Sequence, residues 1–217
     1  MTEEDAQNWI KTHFDVSRGT WERLEAFIAF LKNEAQRQNL VSAASLDHMW
    51  VRHIVDSAQL LRFVSPKTST WIDLGSGAGF PGLIVAILSD WRVTLVESRA
   101  KRIEFLNRAI EQLGLGDQAR VAGMPVERLD TSPYGVISAR AFAPLDRLLP
   151  LASRFSTPKT IWLLPKGQNA ANELADARND WNFDMRVEPS ITQADAGILV
   201  GRVLGTARKA AAKGWRK

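Results

Sequence analysis

The chain has 217 residues, enough to bury a full core as one α/β domain with an appendage. Its 45% hydrophobic and 24% charged residues are ordinary for a soluble globular protein, and the absence of cysteine excludes disulfides, thiolate metal sites and cysteine nucleophiles. The net charge of +4 resides in the last ten residues, which hold five basic groups and no acid; without those five, 23 of the 28 Lys and Arg face 24 Asp and Glu.

The chain opens Met1-Thr2-Glu3-Glu4-Asp5, which matches neither a signal nor a transit peptide. Its longest apolar run is the seven residues from Gly82 to Leu88, against about 20 needed to span a bilayer. A cytoplasmic protein without membrane attachment is expected. Residues 1–66 read as a helical extension packed on the core. Leu24, Phe27, Ile28 and Leu31 keep helical spacing, with Glu22, Arg23, Glu25, Lys32 and Glu34 on the other side. After a turn around Asn39, a second helix is expected from about Ser45, with Leu46, Met49, Trp50, Ile54, Leu60 and Leu61 as its stripe and Ser65-Pro66 as its end. It carries two of the three histidines. His53 and Asp56 share a face, as do Arg52 and Asp56. No metal site is expected, because neither HExxH nor further ligands accompany the pair. The pair is either a hydrogen-bonded border of an active cleft or a structural link.

From residue 70 strands and helices alternate, the mark of a mostly parallel sheet. Strands are expected at 70–74, 92–97, 118–122, 136–139 and 160–164, and helices at 81–89, 99–113, 144–155 and 168–179. An antiparallel pair, 183–189 and 198–204, closes the sheet. Residues 67–206 thus form the α/β domain, and 207–217 a basic tail that either anchors nucleic acid or solubilises the end.

The segment Thr70-Trp-Ile-Asp73-Leu-Gly75-Ser-Gly77-Ala-Gly79-Phe80-Pro81-Gly82 is a strand, a glycine turn and the start of a helix. Read from Gly77 it matches the dinucleotide fingerprint; read from Asp73 it matches the Asp-x-Gly-x-Gly-x-Gly turn of S-adenosylmethionine (SAM) methyltransferases. An acid at the strand tip sits badly beside a pyrophosphate and suits a methionine ammonium, so the turn favours SAM. Glu97 ends the second strand, where it can accept from both ribose hydroxyls. Lys101 and Arg102 follow, placed to neutralise the acids, to contact RNA or to be solvated. Val126 and Glu127 fall where an adenine ring would pack. At the end of the fourth strand, Val136-Ile-Ser-Ala-Arg140-Ala-Phe142 lacks the Asn/Asp-Pro-Pro-aromatic pattern used on exocyclic amines. Arg140 stays protonated and is no general base, yet it can hold a phosphate or a guanine edge. The site therefore suits a target that needs no deprotonation, such as guanine N7, with catalysis by alignment and proximity.

Six runs, taken together, resemble one family: Asn39-Leu-Val-Ser-Ala43, Arg52-His-Ile-Val-Asp-Ser57, Asp73 to Gly82, Val96-Glu-Ser-x-x-Lys-Arg102, Ser138-Ala-Arg-Ala-Phe142 and Pro165-Lys-Gly167. The chain is similar over residues 39–167 to the bacterial 16S rRNA guanine-N7 methyltransferases, also called the GidB family. The resemblance implies a Rossmann-like SAM methyltransferase fold with SAM as cofactor. It implies a cofactor pocket of Gly75, Phe80, Val126, Glu127 and Arg140, joined by Asp73, Gly77, Gly79 and Glu97 of the general SAM turn. His53, Asp56 and Arg140 would be the catalytic residues bordering the guanine. The partner would be 16S rRNA or the small-subunit particle, with no obligate protein partner. Ala139 departs from the family's usual serine. The competing expectations are a SAM- and RNA-binding regulatory protein without catalysis and a nucleotide-dependent oxidoreductase.

Overall fold

The computed structural model describes residues 1–65 and 70–207. Pro66, the junction drawn at 66/67 and all but Ala207 of the tail lie outside the described residues.

The first helix, α1 (Glu3–His13), starts at a capping box in which the Thr2 hydroxyl accepts from the Asp5 amide and Asp5 accepts from the Thr2 amide. Ser17 caps α2 (Arg18–Glu34), which buries Leu24, Phe27 and Leu31 along one stripe. The single helix expected from Ser45 is instead broken. It comprises α3 (Ala43–Leu46), a π-helical turn at Trp50–Val55, α4 (Asp56–Ala58) and a 3-10 turn at Gln59–Phe63. A carboxylate from elsewhere in the chain stabilises the restart: Glu3 of α1 accepts from the Trp50 and Val51 amides at 3.0 and 2.9 Å.

The sheet contains β1 (Thr70–Leu74), β2 (Arg92–Val96), β3 (Ala119–Ala122), β4 (Val136–Ala139), β5 (Ile161–Lys166), β6 (Trp181–Pro189) and β7 (Gly197–Thr206). Its order is β3-β2-β1-β4-β5-β7-β6, parallel through β5, with β7 antiparallel to both β5 and β6. The helices between are α5 (Gly82–Leu88), α6 (Ala100–Gln112), α7 (Leu145–Ala152) and α8 (Ala170–Ala177). The helix expected over 144–155 ends its α-helical part at Ala152 and finishes as a 3-10 turn, Ser153–Phe155.

Each face of the sheet is covered. Trp71, Val93 and Leu95 pack with α5, α6 and the N-terminal helices, and one cluster joins Ile10, Leu24 and Phe27 to Leu83 and Phe105. Ile72, Ile137, Trp162 and Leu164 pack with α7 and α8 on the other side. Burial on both faces explains why the central strands are almost continuously apolar. After β1 the chain winds outward to β3, then returns to place β4 on the opposite side of β1. That reversal opens a crevice beyond the carboxyl ends of β1 and β4.

Candidate active site

Asp73 stands opposite Leu95 on β2 and Ser138 on β4. It is fully buried, and its carboxylate accepts from the Ser138 hydroxyl at 2.7 Å and the Gly82 amide at 3.2 Å. Ser138 in turn accepts from Trp71 Nε1 at 2.8 Å. Burial pushes the Asp73 carboxyl above its ordinary pKa, and the bonds from Ser138 and Gly82 oppose that shift. Asp73, expected to serve a methionine ammonium, usually through water, ties the glycine turn to β4 in the structure. Gly82 permits this packing, since a Cβ there would lie 2.2 Å from Leu95 and 3.0 Å from the Asp73 carboxylate.

Beyond Asp73 the turn folds over β2. The Gly75 and Ser76 amides donate to Val96 O at 2.9 and 3.0 Å. Glu97 fixes the other end, accepting from the Gly77 amide at 3.1 Å, Ser98 at 2.8 Å and Arg99 at 2.9 Å, with Arg102 at 3.8 Å. A cavity of about 280 Å³ lies here, lined by Gly75, Glu97, Val126, Glu127 and Phe142 among others. Four of the expected cofactor residues therefore meet. Asp73, Gly77, Gly79, Phe80 and Arg140 do not line it.

The Phe80 ring lies behind the turn, stacked on His53 at 4.7 Å, edge-on to Phe27 at 5.4 Å and beneath the Arg140 guanidinium at 5.1 Å. Arg140 opens on a second, larger cavity of about 740 Å³, shared with Arg52, His53 and Asp56. Arg140 Nη1 donates to Asp56 at 3.1 Å and to the Arg52 carbonyl at 3.3 Å, while Nη2 lies 3.3 Å from His53 Nδ1. A guanidinium only donates, so Nδ1 accepts and the neutral ring carries its proton on Nε2. Burial, followed by the charges of Arg140 and Arg52, lowers the His53 pKa to about 3.

Three groups without an assigned role in the sequence complete this wall. The loop between β6 and β7 closes over Asp56: Thr192 donates to it at 2.8 Å, beside Gln59 at 3.0 Å, and Gln59 accepts from the Ile191 amide. Lys166, within the Pro165-Lys-Gly167 run, donates to Ala143 O at 3.0 Å and to Glu173 at 2.8 Å. Ala141 has φ +51, a left-handed conformation costing about 1 kcal/mol in a residue with a Cβ. The strand-end position of Arg140 could have signalled Ala141 and Phe142. The Thr192 contact spans 136 residues and leaves no local signal.

Residues 20–199 match the family described as rRNA small subunit methyltransferase G. The chain is 54% identical to the ribosomal RNA small subunit methyltransferase G of Rhizorhabdus wittichii, over 92% of both chains. It is 52% identical to the protein of the same name from Erythrobacter litoralis, over 93% of this chain and 96% of that one. In fold it is similar to a methyltransferase from Geobacter sulfurreducens (TM-score 0.57, 12% identity, 92% and 96% covered). An RNA methyltransferase from Salinibacter ruber in complex with S-adenosyl-L-homocysteine is also similar (TM-score 0.52, 15% identity, 68% and 89% covered). With a parallel sheet, a glycine turn at its switch point and this match over most of its length, the chain belongs to the rRNA small subunit methyltransferase G family.

Proposed function

We propose that the chain transfers the methyl group of SAM to N7 of a guanine in 16S ribosomal RNA. The observation that carries this is the state of the ionisable groups around the larger cavity. Its two carboxylates, Asp56 and Glu173, are ion-paired with Arg140 and Lys166. The Nδ1 lone pair of His53 accepts from Arg140. An atom that must lose a proton before attacking finds there only ion-paired carboxylates and a hydrogen-bonded imidazole, each weakened as a base by its cationic partner. Guanine N7 attacks with a lone pair it already has, which leaves alignment and proximity as the protein's contribution.

The smaller cavity suits SAM by its donor set. Three of the roughly four lone-pair positions of Glu97 go to backbone amides, leaving acceptor capacity for a ribose hydroxyl. Buried Val126 offers an apolar surface for the adenine, next to Glu127. When bound, SAM supplies an electrophilic methyl group on a sulfonium. Asp73, through Ser138 and Gly82, holds the turn that receives it. Arg140 keeps two of its five N–H donors after binding Asp56, Arg52 O and His53. In the proposed complex these donate to guanine O6, leaving N7 open. The proposed setting is the cytoplasm; no helix among the described residues is long and apolar enough to cross a membrane.

The test uses methyl-labelled SAM with small-subunit RNA from cells that lack the modification. Wild type is expected to label it. Arg140→Ala is expected to lose on the order of 100-fold in transfer while SAM still raises its melting temperature. No label in naked RNA or in small-subunit particles would contradict the proposal and favour a binding protein without catalysis.

A further inference from the structure

We propose that Phe142 is the platform on which the target guanine is laid, a substrate contact at the boundary between the two cavities. Among the described residues only Ala141 and Phe142 line both. Methyl transfer requires donor and acceptor atoms about 3–3.5 Å apart, so a base in the larger cavity and a methyl donor in the smaller one must meet at that boundary. Ala141 has no side chain to offer beyond its methyl. Phe142 brings a ring.

The local geometry turns that ring to this place. The left-handed φ of Ala141 divides its neighbours: Arg140 turns to Asp56 and His53, while Phe142 crosses Gly75. A Cβ on Gly75 would stand 2.4 Å from Phe142 Cδ2, so glycine is what admits the ring. On its other side the strap is tied down. Lys166 holds the Ala143 carbonyl and Glu173 accepts from the Leu145 amide at 2.8 Å. Phe80 and His53 are already stacked on each other, whereas Phe142 makes no ring–ring contact among the described residues and is only half-buried. Seated on Gly75 and only half-buried, Phe142 also borders the larger cavity. Proteins commonly hold an unstacked RNA base on such an aromatic surface, and loss of the surface weakens binding about 10- to 100-fold.

The inference rests on the proposed guanine-N7 function, and the experiment separates the two. Phe142→Leu, Phe142→Tyr and wild type are compared for RNA labelling, for kcat/KM toward RNA and for SAM affinity by calorimetry, with thermal melting to verify folding. Expected is a roughly 10- to 100-fold lower kcat/KM toward RNA for Phe142→Leu, with SAM affinity within about twofold of wild type and Phe142→Tyr within a few-fold in both. Wild-type labelling matched by the leucine variant would overturn the role of Phe142. So would a loss of SAM affinity as large as the loss of transfer, since the ring would then serve the cofactor. Failure of wild type itself to label RNA contradicts the parent function instead.

Discussion

Arg140 organises the site because a guanidinium has donors and no acceptor. It fixes the His53 tautomer, neutralises Asp56 and grips the Arg52 carbonyl. The neutral state of His53 has a measurable consequence. Its pKa falls from 6.5 to about 3 in the fold, so the unfolded chain binds the additional proton between those values. Stability contributed by neutral His53 is complete above pH 6.5 and is lost as pH falls toward 3, with a slope of up to about 1.4 kcal/mol per pH unit. His53→Asn retains a side-chain acceptor and removes the titration. Its melting temperature is expected to fall less steeply than wild type's between pH 6.5 and 4; parallel curves would show that His53 is not buried neutral. At this scale the sequence was informative where spacing and strand ends sufficed, as for His53, Asp56 and Arg140. At Asp73 and Phe80 it did not display the internal packing of the side chains, Asp73 on Ser138 and Phe80 on His53. A strand-tip acid looks the same in sequence whether it faces a ligand or a buried serine.

At the scale of elements, the helix from Ser45 shows where local pattern runs out. Leu46, Met49, Trp50 and Ile54 keep helical spacing, and nothing nearby announces a π turn. A partner distant in sequence braces the turn: Glu3 of α1 accepts from the Trp50 and Val51 amides, 47 and 48 residues away. A wide turn of this kind is a common feature of functional sites, and here it carries Arg52 and His53. Glu3→Ala leaves two buried-segment amides without that partner, a loss of about 1–3 kcal/mol. The expected outcome is a melting temperature several degrees lower together with slower RNA methylation, because the turn bearing His53 loosens. An unchanged melting temperature would show that the N-terminal helix does not brace the site. The strands were far more legible, since Gly, Pro and polar turns bound each apolar run. Their limits moved by only a few residues, most visibly in β6 and β7. The pattern did not reveal that the loop joining those two strands reaches back to Asp56.

Across the whole molecule, alternating strands and helices implied a mostly parallel sheet, and a sheet with this order opens a ligand crevice at its switch point. The N-terminal helices share a hydrophobic cluster with α5 and α6, and the same chain segment supplies His53 and Asp56 to the far side of the crevice. Cofactor turn and target wall are thereby held by one continuous core, the condition for catalysis by alignment. The central claim is that this arrangement methylates an atom that needs no base. It is tested most directly by digesting labelled small-subunit RNA to nucleosides and identifying the methylated atom by mass spectrometry against standards. The label is expected in N7-methylguanosine. Label in N1- or N2-methylguanosine, whose nitrogens must lose a proton, would contradict it.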